Sequence, residues 1–107
     1  MDNYTNAVND VFDSVVKSVG IHVTLLITER ALWLTKHKYE EAALINFSED
    51  GIDLAKLQEI DPERAKLIIL SLIKNISTTL SQLVGKQLAF QLTEQFQTMF
   101  GQEVNDG

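Results

Sequence analysis

The stretch that most constrains the fold begins DPERAKLIILSLIKNISTTLSQLVG at Asp61 and continues KQLAFQLTEQFQTMF to Phe100. Placing each residue about 100° from the last gathers Ala65, Ile68, Ile69, Leu72, Ile73, Ile76, Leu80, Leu83 and Val84 on one side. Ser71, Lys74, Asn75, Thr78 and Gln82 form a stripe on the other. This is the pattern of an amphipathic helix, not of a strand. Its start is well marked: Asp61 is placed to cap the first free amides, and Pro62 stands where its missing N–H costs nothing. Glu63 adds negative charge at the positive end of the helix dipole.

Two features depart from that pattern. Leu67 and Leu70 fall on the polar side, and beyond Gly85 the apolar set Leu88, Leu92, Phe96, Met99 and Phe100 points about half a turn away from Ile69 and Leu80. Either Gly85 ends the helix and the second piece folds back, or the rod continues to about residue 100 with opposite greasy sides. The sequence leaves both open. Ser77, Ser81, Gly85 and Ala89, small residues four apart, line the same side as Leu67, Leu70, Leu88, Leu92 and Phe96. Small residues at that spacing let two backbones approach closely. Together these nine residues form the expected interface of a homodimer, with a two-fold axis near Gly85.

The remainder of the chain supplies what packs on this helix. Residues 2–19 read as a second amphipathic helix: Tyr4, Val8, Val11, Phe12, Val15 and Val19 share one face, and Asn6, Asn9, Asp10, Asp13 and Lys17 the other. Gly20 is the natural stop. Residues 21–28 alternate and are β-branched, so a strand is conceivable, with 43–47 as the best available partner and SEDG as a turn. An isolated strand pair is marginal, and helix formers follow at once, so the expectation is a helix over about 21–46, buried on several sides. Ser48 to Gly51 is a clear loop, after which Asp53 caps a short helix over 54–60. Residues 101–107 should fray. The fold expected is all-α: one domain, 1–107, as a small bundle of four to five helices around the helix at about 61–84.

Charge and composition narrow the function. A net charge of −6 and a pI near 4.7 argue against nucleic acid or an anionic membrane surface as the main partner. Residues 67–85 carry too many polar groups for hydrocarbon. With no cysteine there is no thiol nucleophile and no cysteine-ligated metal, and the acidic, polar N-terminus is unlike a targeting peptide, so a cytoplasmic location is expected. No phosphate-binding glycine loop, HExxH or nucleophile elbow occurs. His22, in the apolar stretch, reads as a core histidine, and His37 with Glu41 lacks a third ligand for a metal. The paired carboxylates (Glu40/Glu41, Glu49/Asp50, Glu59/Asp61) sit in polar contexts. The expectation is therefore a non-enzymatic interaction and regulatory module in cytoplasmic signalling, homodimeric, with no cofactor, metal, nucleic-acid or membrane partner. The alternative is a small-ligand sensor with a pocket between helices, lined by Trp33, Phe47, Phe90 and a histidine.

Overall fold

A computed structural model of the chain describes the backbone of residues 2–84 and the side chains of residues 4–83. Helix α1 (Asp2–Val19) is followed by α2 (Ile21–Lys38), a 3-10 segment (Glu40–Leu44), the strands β1 (Asn46–Ser48) and β2 (Gly51–Asp53), a second 3-10 segment (Ala55–Glu59) and α3 (Pro62–Val84). The protein is mostly helical, as expected, with three α-helices and one small hairpin among the described residues. The helix expected over 21–46 stops at Lys38, where Tyr39 is extended (φ −130°, ψ 108°). The charges account for the stop. Lys36, His37 and Lys38 suit the negative end of a helix dipole, whereas Glu40 and Glu41 would be repelled there and instead open the first turn of the next segment.

The face read for α1 is the face it buries: Ala7, Val8, Val11, Phe12 and Val15 are in the core, with Tyr4 and Val19 packed at its margin. A single residue, Gly20, then turns the chain from α1 into α2. Its φ of 86° and ψ of 164° lie in a region essentially reserved for glycine.

Helix α3 is the axis of the structure. Asp61 caps it, its Oδ2 accepting from the Arg64 amide at 3.1 Å. Ala65, Ile68, Ile69, Leu72, Ile73, Ile76 and Leu80 are all buried. Leu83, expected on this face, is instead exposed at the helix end. Arg64 at the start of α3 reaches Glu41, just beyond the end of α2, while Asn75 Nδ2 donates to Thr35 Oγ1 at 2.9 Å further along. The two helices therefore run in opposite directions.

What α2 offers to that contact is unexpected. Its buried residues are Thr24, Ile27, Thr28, Ala31, Leu32 and Thr35, so three threonines face the core and the expectation of burial on several sides does not hold. Each hydroxyl donates to a carbonyl one turn back: Thr24 to Gly20 at 2.6 Å, Thr28 to Thr24 at 2.8 Å and Thr35 to Ala31 at 2.8 Å. Their polar groups are thus satisfied inside α2, and burial costs little. On α3, by contrast, the buried Thr79 Oγ1 has no hydrogen-bond partner among the described residues.

The hairpin uses one of the segments considered as a strand, but pairs it differently. β1 pairs with β2 across the Glu49-Asp50 turn, in the register Asn46↔Asp53, Phe47↔Ile52 and Ser48↔Gly51. An isolated pair this short is not stable alone, and α1 holds it. Asn9 Oδ1 accepts from Ile52 N at 2.8 Å while Asn9 Nδ2 donates to Ile52 O at 3.0 Å and to Thr5 O at 3.0 Å. The side-chain amide thus acts as a further strand for Ile52. Asn9, read from the sequence as one of the solvent-facing residues, is half-buried. Asp53 Oδ1 caps the second 3-10 segment through Ala55 N at 2.9 Å, in place of the expected short helix at 54–60.

Candidate functional site

Because the threonines of α2 face inwards, its outer face carries a different set. His22, Leu26, Glu29, Arg30, Trp33, Lys36 and His37 are all exposed and recur at the spacing of one helix face. Leu26 is 64% and Trp33 49% exposed. Burying one such side chain is worth about 1.5–3 kcal/mol, a gain that the described fold does not take for Leu26 or Trp33. His22 is a correction to the sequence reading: it stands on this exposed face and not in the core.

Trp33 has two basic side chains against it. The Arg30 guanidinium lies 4.9 Å from the indole centroid, and the His37 ring centroid lies 4.1 Å from it at an interplanar angle of 55°. His37 Nδ1–H donates to the Trp33 carbonyl at 2.9 Å, which fixes the imidazole against the indole and turns Nε2 outwards. The residues (i, i+3 and i, i+4) are neighbours by helix geometry alone, so this arrangement needs nothing from the rest of the fold.

The expected dimer edge lies on α3. Leu67 is 49% exposed, and Leu70, Ser77 and Ser81 are half-buried. Gly85, Leu88, Ala89, Leu92 and Phe96 lie outside the described residues, and so does the question of whether Gly85 breaks the helix. For the alternative pocket, Trp33 stands on the outer face of α2, Phe47 packs against the core, and Phe90 lies outside the described residues.

The remaining polar groups serve the fold. Arg64 makes a bidentate pair with Glu41 (Nε to Oε2 2.8 Å, Nη2 to Oε1 3.0 Å) and lies 5.1 Å from the Tyr39 ring centroid, tying the segment after α2 to the start of α3. Those hydrogen bonds hold the Glu41 carboxyl below the ordinary glutamate range, and the charge of Arg64 adds to the effect. A general acid at neutral pH needs the opposite shift. The other carboxylates of the three pairs, Glu40, Glu49, Asp50, Glu59 and Asp61, are exposed. Among the described residues no group of three or more histidine and acidic side chains is placed to hold a metal ion, and no helix is long and apolar enough to cross a membrane.

Compared with protein-family models, characterised proteins and solved structures, the chain matches none. The surfaces just described therefore carry the functional argument alone.

Proposed function

We propose that the chain is a non-enzymatic interaction module that acts as a homodimer in cytoplasmic regulation or signalling, pairing along the outward edge of α3. One observation carries the reading. Leu26, Trp33, Leu67 and Leu83 are exposed, while the described elements already bury a common core. Apolar surface that a fold does not need for itself is where partners bind. On α3 the exposed leucine is Leu67, with Leu70 beside it and the small side chains Ser77 and Ser81 further along the same edge. A second copy meeting this edge buries Leu67 and Leu70, and the serines let the two helices come close. Gly85, Leu88, Ala89, Leu92 and Phe96 extend the edge in the proposal.

Leu67→Glu tests it directly. Because Leu67 is half-exposed, a glutamate there remains solvated in a monomer, but in a dimer it places an unpaired charge in the interface. Light scattering should show the variant as a monomer with unchanged helicity. A variant that keeps the mass of the unmodified protein would overturn the pairing along α3. Gly85→Leu should act in the same direction, as a wedge at the two-fold axis.

A further inference from the structure

We infer that the outer face of α2 is a docking surface for an acidic amphipathic helix of another protein, separate from the α3 edge. The first ground is that the face is both apolar and basic. Leu26 and Trp33 are exposed, seven positions apart, which places them about 10 Å from each other along the axis at ~1.5 Å per residue. On the same face stand Arg30 and Lys36 against the single carboxylate Glu29, a net +1 in a chain whose total is −6. The rest of the molecule thus carries −7, so this face is locally basic on an acidic chain.

The second ground is that the face is already ordered. Trp33 is in contact with both Arg30 and His37. Those contacts favour one placement of the indole, and tryptophan and arginine are residues that often dominate interface energies. A partner that fits supplies two apolar side chains separated by about two helical turns, to meet Leu26 and Trp33. It also supplies carboxylates along the same face for Arg30 and Lys36.

The charge pattern separates this occupant from other anions. A nucleic acid or an anionic bilayer presents a charge array wider than one helix and would meet the negative remainder of the molecule, which repels it. A single acidic helix touches α2 alone.

Trp33 is the only tryptophan in the chain, so its emission reads the site without a label. The test uses the full chain and two synthetic helical peptides. Both have leucines seven positions apart; the flanking positions are glutamates in one and lysines in the other. The glutamate peptide should shift Trp33 emission to the blue in a saturable way, more weakly as salt is raised. Arg30→Glu should weaken it by about tenfold or more, and Leu26→Asp should abolish it. Leu26 and Arg30 are exposed, so both variants should retain the circular dichroism of the unmodified protein. Three results would overturn the inference. They are no shift with the glutamate peptide, an equal shift with the lysine peptide, or an emission that changes with the concentration of the chain alone. The last would mean that a second copy occupies the face. None of them bears on the Leu67 test of the α3 edge.

Discussion

The two glycines with positive φ separate a backbone cost from a packing cost. Gly20 (φ 86°) and Gly51 (φ 128°) both adopt conformations that disfavour any side chain. A methyl group on Gly20 would meet nothing within 4 Å, whereas on Gly51 it would overlap the Asn9 side-chain oxygen. Gly20→Ala should therefore cost only backbone strain, about 1–3 kcal/mol. Gly51→Ala adds displacement of Asn9, and with it the two bonds that serve the amide and carbonyl of the buried Ile52. Leaving those groups unpaired costs about 1–3 kcal/mol each, so Gly51→Ala should lose about 3–9 kcal/mol, against ~5–15 kcal/mol for a whole domain. Asn9→Ala should lose about 2–6 kcal/mol by the same argument. In the double variant the overlap is gone, and Gly51→Ala should then cost no more than Gly20→Ala does. Urea unfolding of the four proteins measures this as a double-mutant cycle, with an expected coupling of at least about 2 kcal/mol. If Gly51→Ala proved no more damaging than Gly20→Ala, or the cycle closed without coupling, the Asn9 latch would not be what holds the hairpin.

Leu72→Ala or Ile76→Ala should destabilise by about 2–5 kcal/mol, while the exposed Lys74→Ala should change stability by no more than about 0.5 kcal/mol, both by denaturant unfolding. Thr79→Val should be neutral or stabilising by up to about 1 kcal/mol, since it removes a buried hydroxyl without a partner and keeps the shape; a large loss would show that the hydroxyl is bonded. The Glu41–Arg64 pair has a pH signature. The folded-state pKa of Glu41 is lowered, so its contribution is present above the ordinary glutamate range and is lost as pH falls through the lowered value. Thermal unfolding of Glu41→Gln should therefore differ from that of the unmodified protein at neutral pH and converge with it in acid. A difference independent of pH would contradict that assignment.

Helices α1 and α3 could be read from the sequence because both carry their own signal: a period near 3.6 and, for α3, the Asp61-Pro62 start. Helix α2 could not be oriented that way. With apolar or β-branched residues nearly all round, its pattern does not say whether the threonines or Leu26 and Trp33 face inwards. In the structure Ile27, Ala31 and Leu32 face inwards with the threonines, whose hydroxyls are satisfied within the helix, and Leu26 and Trp33 face outwards. His22 follows from the same choice. The stop at Lys38 did have a local sign in the basic run followed by Glu40 and Glu41. Asn9 and Asn75 had none. Both read as surface polar residues, yet they bond to Ile52 and Thr35 at separations of 43 and 40 positions. An asparagine on a wet helix face and one that closes a distant contact look alike in sequence. Of the expected interface, Leu67 was readable as an apolar residue on a polar stripe, while Leu26 and Arg30 became visible only once α2 had an inside and an outside.

The central claim is that the apolar surface left outside this fold exists for association. The most direct measurement is the mass of the unmodified full chain in solution by sedimentation equilibrium, over a range of concentrations. The account predicts a species of twice the 12.0 kDa chain mass, shifted towards the chain mass by Leu67→Glu. A protein that sediments as a single chain at high concentration, with Leu67→Glu indistinguishable from it, would contradict the account.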